Sequence, residues 1–247
     1  MALREELESS GDWLFRRRSY LPLLVGVPVL LAMQHPDYLR QDRPWPDYWG
    51  LFCTAIALAG LGIRALTVGC VPERTSGRNT KEGHVADALN TTGMYSIVRH
   101  PLYLGNFVIW LGVSMYCGLW WLVAIVALVF WVYYERIVFA EEEFLRRRFG
   151  DTYRRWAERT PAFLPRLESW CRPALPFSLR TVLRREYTGL FGIIATFYVL
   201  KVYERVIVHR DAMVEPVWSG MFAAGLAIYL TLAAIKHQTR LLIVAGR

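Results

Sequence analysis

A chain of 247 residues that is 54% hydrophobic, with a mean hydropathy of +0.24, is too apolar for an ordinary soluble domain, and its apolar residues fall in blocks separated by arginine-rich stretches. Blocks near 20 residues cross a ~30 Å hydrocarbon layer as helices, so the expected class is one all-α domain, a multi-pass transmembrane helical bundle. The net charge of +8 does not call for nucleic acid, because arginine beside spans follows from the positive-inside rule and from anionic head groups; the expected partners are the bilayer and a membrane lipid.

From the N-terminus, Arg16-Arg17-Arg18 precedes an apolar run, as in a signal peptide. The run ends at Leu31-Ala32-Met33-Gln34-His35-Pro36 without a small-x-small cleavage pattern, which predicts a retained first span over Ser19–Met33, containing Pro22 and Pro28. Five more spans are expected at Tyr48–Val68, Leu102–Tyr116, Leu119–Phe139, Leu190–Val208 and Val217–Ile235, about six in all. Cys117-Gly118 makes the third and fourth a tight hairpin, and Lys201, Glu204 and Arg205 interrupt the fifth. With both termini cytoplasmic, 23 of the 29 Lys and Arg residues lie inside and five outside, the bias expected of a correct orientation. The two most polar segments, 69–99 and 135–186, then share one face. Glu141–Arg159 reads as an amphipathic helix continuing the fourth span, ended by Pro161 and Pro165, and 166–186 as interfacial. Cys53, Cys70, Cys117 and Cys171 lack metal-ligand spacing, so neither disulfide nor metal site is expected.

Two clusters carry chemistry. Arg99 and His100 open a span, with Pro101 in its first turn, Tyr103 about one turn on, and Gly105 permitting a close approach. Arg99 and the first-turn amides suit a carboxylate or phosphate; the plainer reading makes Arg99 and His100 interface anchors and Tyr103 part of an aromatic belt. Glu135, Glu141, Glu142 and Glu143 follow an apolar run. Pairing of Glu142 with Arg146 and Glu143 with Arg147 is the plain reading, and a carboxylate for an ammonium or sulfonium ligand is the functional one. One cationic and one anionic cluster on one face match the two ends of an amino-acid zwitterion.

The order Gly93-x-Tyr95-x-x-x-Arg99-His100-Pro101-x-Tyr103-x-Gly105, then Glu141-Glu142-x-x-Leu145-x-x-x-Phe149-Gly150-x-x-Tyr153 and Pro165, resembles the isoprenylcysteine carboxyl methyltransferase and phospholipid methyltransferase superfamily over roughly 48–165. The resemblance implies S-adenosylmethionine bound at the cytoplasmic face and an acceptor lipid entering sideways from the bilayer. It assigns Arg99, His100, Tyr103 and Gly105, with Tyr95 of the same motif, to the cofactor's amino-acid and sulfonium side. Glu142, with Glu141 second, falls to its amino group, and Arg159, before Pro161, to the vicinity of the acceptor. It makes Arg99, His100 and Arg159 the catalytic candidates. The polar stretches 75–81 and 89–93 resemble a bacterial branch associated with methylation of a lipid A phosphate, which implies a bacterial inner membrane. Residues 166–247 are an extension that either shapes an acceptor cavity or serves packing.

Methyl transfer rests largely on positioning, and an ionised phosphate or carboxylate needs no general base, whereas a protonated amine does. The cytoplasmic segments before the third span offer only His84 and His100 as bases, but many guanidinium groups. Arg64, Arg78, Lys81, Arg155 and Arg159 are the candidates to hold an anionic acceptor. Arg64 stands out because it interrupts an apolar span; snorkelling to the interface is its plainer reading. The expected activity is therefore O-methylation of an anionic lipid head group. Carboxyl methylation of a prenylated cysteine, N-methylation of phosphatidylethanolamine, a nicotinamide-dependent sterol reductase and a non-catalytic scaffold are the alternatives. Sterol reductases share an Arg-His motif, but typically lack the proline after the histidine and the Glu-Glu motif.

Overall fold

The computed structural model describes residues 3–18, 24–39, 46–73, 75, 86–210 and 213–247. Among these residues the regular structure is all helical: α1 (Leu3–Arg17), α2 (Gly26–Ala32), α3 (Pro36–Leu39), α4 (Pro46–Val68), α5 (Met94–Ile97), α6 (Pro101–Met115), α7 (Trp120–Arg159), α8 (Leu179–Glu204) and α9 (Pro216–Gln238). The helical parts of α4, α7 and α9 are each long and apolar enough to cross a membrane, and α6 is a shorter apolar helix. The chain is a helical membrane protein.

Among the described residues, three of the six expected spans, at α4, α7 and α9, are helices long and apolar enough to cross, and a fourth, α6, is a shorter apolar helix. The described part of the first one, α2, has 7 residues, roughly 10 Å at 1.5 Å per residue, too short to cross, and a turn then leads into α3. Residues 19–23 of that expected span, with Pro22, lie outside the described residues. The fifth starts eleven residues before the expected Leu190, because Ser178 caps a helix there: its Oγ accepts from the Thr181 amide at 3.3 Å. The first two turns of α8 therefore carry Arg180, Arg184, Arg185 and Glu186, and its last turn carries Lys201 and Glu204. Its apolar middle is shorter than a span. Of the segment 166–186, expected to be interfacial, the part from Leu179 onward is the start of α8.

α4 and α6 meet backbone to backbone. A Cβ on Gly60 would lie 2.6 Å from the Gly105 carbonyl oxygen, and one on Gly112 2.6 Å from that of Cys53. Small residues at such points let helices close inside a bilayer, where dispersion rather than hydrophobic expulsion holds them. As the sequence predicts, the turn through Cys117-Gly118 folds α7 back on α6, and α7 continues past its apolar half into the charged one. It bends at Gly150, whose φ of 54° and ψ of −125° suit glycine alone.

α1 lies along the charged half of α7. Arg4 donates to Glu143 at 2.5 Å, Arg147 pairs with Glu8 at 2.8 Å, and Gly11 abuts the Arg136 carbonyl. At the start of α4, Lys201 (2% exposed) meets Asp47 at 2.9 Å, Glu204 at 3.1 Å and Glu215 at 3.7 Å. Tyr38 and Tyr116 each donate to Glu204 at 2.8 Å. This cluster ties α3, α4, α8 and α9 together at one end of the bundle.

Candidate active site

The short helix α5 and the turn into α6 are pinned by the chain that follows α7. The Arg99 amide donates to the Pro161 carbonyl at 2.8 Å, the Arg166 amide to that of Ile97 at 2.9 Å, and the Gly93 amide to that of Cys171 at 3.0 Å. Trp156 Nε1 donates to the Tyr95 carbonyl at 3.1 Å. The backbone that carries Arg99 and His100 is thereby fixed from a segment more than 60 residues away in sequence.

On this frame the two clusters meet. Arg99 Nη1 donates to both Glu142 oxygens, at 2.7 and 2.8 Å. The buried His100 holds the same carboxylate through Nε2 at 2.9 Å and lies 3.8 Å from Glu141 through Nδ1. Tyr103 donates to Glu141 at 2.7 Å and stacks on the His100 ring. The Phe163 ring lies tilted against that histidine, with centroids 6.3 Å apart. Burial would raise the Glu142 carboxyl, but the His100 hydrogen bond and the charges of His100 and Arg99 outweigh it and hold it below its ordinary range. Burial, then the Glu141 charge, pushes the Tyr95 phenol up, so it remains a neutral hydroxyl. Glu143 turns away and pairs with Arg147 at 3.2 Å, as its spacing predicts; Glu142 takes Arg99 rather than Arg146.

A cavity of about 500 Å³ opens beside this cluster. Tyr103 belongs to both. The wall is apolar at Leu61, Ile109, Trp110, Val113 and Ile193, and charged at Arg18, Arg64, Arg185 and Glu186. Arg64 lies on this wall: Nε and Nη2 grip the Glu186 carboxylate at 2.8 and 2.9 Å, and Nη1 donates to Asn106 Oδ1 at 2.7 Å. Asn106 in turn donates to the Tyr134 hydroxyl at 2.9 Å. Gly105 faces Gly60 and Arg64 of α4, so the close approach it permits is by a helix backbone. Arg155 and Arg159 are exposed on the last turns of α7 and make no ion pair among the described residues. Arg159 stands two residues before Pro161, which fixes Arg99. Arg78, Lys81 and His84 lie outside the described residues.

Sequence reasoning did not single out Glu186, Asn106, Tyr134 or Phe163. Asn106 and Phe163 carry a signal of nearness to the two motifs; Glu186 carries none, since its partner Arg64 is 122 positions away. Tyr153, a motif residue without an assigned role, is buried beside Arg99 and Glu142. No group of three or more His, Cys, Asp or Glu among the described residues is placed to hold a metal ion.

A helical membrane protein, with an Arg-His-Glu cluster beside a cavity of mixed apolar and charged lining, is the class that fold and site define. Comparison with known proteins narrows it. The phospholipid methyltransferase family model matches residues 74–152. The chain is 38% identical over 158 residues to the nickel-cobalt-cadmium resistance protein NccN of Alcaligenes xylosoxydans xylosoxydans, covering 63% of this chain and 68% of that protein. It is 35% identical over 145 residues to the cobalt-zinc-cadmium resistance protein CzcN of Cupriavidus metallidurans, 58% of this chain and 62% of that one. A probable protein-S-isoprenylcysteine O-methyltransferase of Oryza sativa subsp. japonica is 32% identical over 157 residues, 59% of this chain and 80% of that one. No solved structure matches the chain significantly. The chain belongs to the isoprenylcysteine and phospholipid methyltransferase superfamily, which sets aside the sterol reductase alternative.

Proposed function

We propose that this protein is an S-adenosylmethionine-dependent methyltransferase at the cytoplasmic face of a bacterial inner membrane, O-methylating an anionic group carried on a lipid, with a lipid A phosphate as first candidate. The observation that carries the reading is the Arg99–Glu142 pair, clamped by His100 and adjoining the cavity through Tyr103. The residues present fit the cofactor. Arg99 Nε is buried with no hydrogen-bond partner, an unused donor on the side chain best suited to a carboxylate. An amino-acid zwitterion entering between Arg99 and Glu142 gives each a new partner of opposite charge, so neither is left uncompensated. His100 then holds Glu142 in place, and Glu141, fixed by Tyr103, adds negative potential for a cation. Arg159 is kept as an acceptor-side candidate by the resemblance.

When bound, S-adenosylmethionine would supply an electrophilic methyl group on a sulfonium, held between Arg99 and Glu142, and an acceptor oxygen already ionised would need no base. The chain's part is to place the two reactants in line and keep water out. Three guanidinium groups against one carboxylate on the cavity wall favour an anionic acceptor, and the apolar wall favours one on a hydrocarbon chain. A prenylcysteine carboxylate has the same two features and is the second reading, because of the likeness to the rice protein. The test is to incubate the protein in lipid with radiolabelled S-adenosylmethionine and total membrane lipids and to identify the product by mass. Label on a phosphate or carboxylate is expected; label on an amine overturns the anionic-acceptor reading, and no cofactor binding by calorimetry overturns the enzyme reading.

A further inference from the structure

The cavity wall contains an anion of its own. Glu186 comes from α8, outside the stretch that matches the family model, and its carboxylate occupies the bidentate face of Arg64. A guanidinium in this geometry is already satisfied by a planar oxyanion, the arrangement it would offer to a phosphate or carboxylate ligand. Asn106, itself held by Tyr134, fixes the third nitrogen and so keeps the guanidinium oriented whichever oxyanion occupies that face. Glu186 is 6% exposed, while Arg64 retains a surface on the cavity.

The geometry points to Glu186 as a displaceable internal stand-in for the acceptor's anionic group, and hence as a positioning residue that sets charge selectivity through Arg64. This rests on the anionic-acceptor reading and adds its site. In the resting state Glu186 holds the Arg64 seat. An amphiphile whose chain lies along Leu61, Ile109, Trp110 and Ile193 brings its oxyanion to the same seat and displaces Glu186. A neutral or cationic head group cannot make that exchange and leaves the pair closed. The apparent affinity for an anionic amphiphile is the intrinsic affinity reduced by the fraction of time Arg64 is open. Neutralising Glu186 therefore tightens binding. A purely structural pair predicts the reverse, because breaking it loosens the wall.

The test uses the full chain in phosphatidylcholine nanodiscs without any methyl donor. Tryptophan fluorescence, with Trp110 on the cavity wall as reporter, follows titration with dodecyl phosphate, dodecanol or inorganic phosphate, with empty nanodiscs as the partitioning blank. Glu186→Gln is expected to bind dodecyl phosphate about tenfold more tightly than the wild type, with dodecanol unchanged. Glu186→Asp, which keeps the charge but shortens its reach, should tighten binding less, and decides the matter alone if the glutamine variant does not fold. Arg64→Gln should abolish the preference for phosphate over alcohol, and in that background Glu186→Gln should have no effect. Unchanged or weaker binding of dodecyl phosphate in the Glu186 variants overturns the proposal. So does inorganic phosphate binding as tightly as dodecyl phosphate, since the seat would then serve a free anion. Tightening without methyl transfer to any lipid leaves the seat standing and sinks the enzyme reading instead; transfer without tightening does the opposite.

Discussion

The two ends of α4 carry ion-pair clusters of similar composition and opposite character. At Asp47, Lys201 is almost wholly enclosed and faces three carboxylates, while two tyrosine hydroxyls complete Glu204. At Arg64, roughly 25 Å away along the helix at 1.5 Å per residue, the pair with Glu186 forms part of a cavity wall, and the Arg99–Glu142 pair lies close by across Tyr103. The first cluster joins helices around an almost wholly buried lysine. The second leaves its guanidinium groups partly accessible, with an unused donor on Arg99. Ion pairs of equal distance thus serve different ends according to whether the cation is enclosed or on a cavity wall: a closed pair fixes helix positions, and an open one can exchange partners.

Breaking the closed cluster should cost the most. Lys201→Met takes the cation from Asp47 and the buried Glu204 and leaves Glu215 with Arg205 alone, and loss of one partner of a buried ionic group costs about 3–5 kcal/mol. A fall of many degrees in the thermal midpoint in detergent is expected, with cofactor affinity of the surviving folded protein unchanged. A midpoint within a degree of wild type would mean that the two ends do not divide the work in this way. The open cluster should respond in the opposite sense. Arg99→Ala and Glu142→Ala are expected to lower cofactor affinity at least ~100-fold, about 2.7 kcal/mol at 1.36 kcal/mol per tenfold, with a much smaller change in midpoint. If both variants keep wild-type affinity by calorimetry, the cofactor does not lie between them.

The same contrast explains what the sequence made readable. Block length alone located α4, α9 and the α6–α7 hairpin, because a helix in hydrocarbon must satisfy its backbone internally and needs a set number of apolar residues. The opposed charges of Arg99-His100 and Glu141-Glu142 stood out because each cluster is contiguous. What could not be read was long-range pairing. Glu186 sits among Arg180, Arg184 and Arg185, where a lone acid looks like a solvated counter-charge; only folding puts it on Arg64, and so brings the extension into the cavity. The packing of α1 on α7 was hidden for the same reason, since Arg4 and Glu8 resemble any polar N-terminal segment until they meet Glu143 and Arg147. The start of α8 at Leu179 was not legible because the Ser178 cap is a local hydrogen bond with little weight against five arginines nearby.

The smallest effect is a dependence on pH that separates the open cluster from the general acid sensitivity of the chain. Glu142 is held below the ordinary carboxylate value of about 4.5 in the folded protein. A depressed carboxyl contributes stability that is fully present above its unfolded value and is lost as pH falls through the folded one. The window therefore opens below about 4.5. Other carboxylates titrate there too, so the informative quantity is the difference between wild type and Glu142→Gln. The glutamine variant should start with a slightly lower midpoint at neutral pH, and the gap should close as pH drops below 4.5, because the wild-type carboxyl then becomes neutral as well. A gap that stays constant to pH 3 would show that the stabilisation by Glu142 is not carried by its charge. The exchangeable ion pair with Arg99 would then lose its physical basis, and with it the distinction between the two ends of α4.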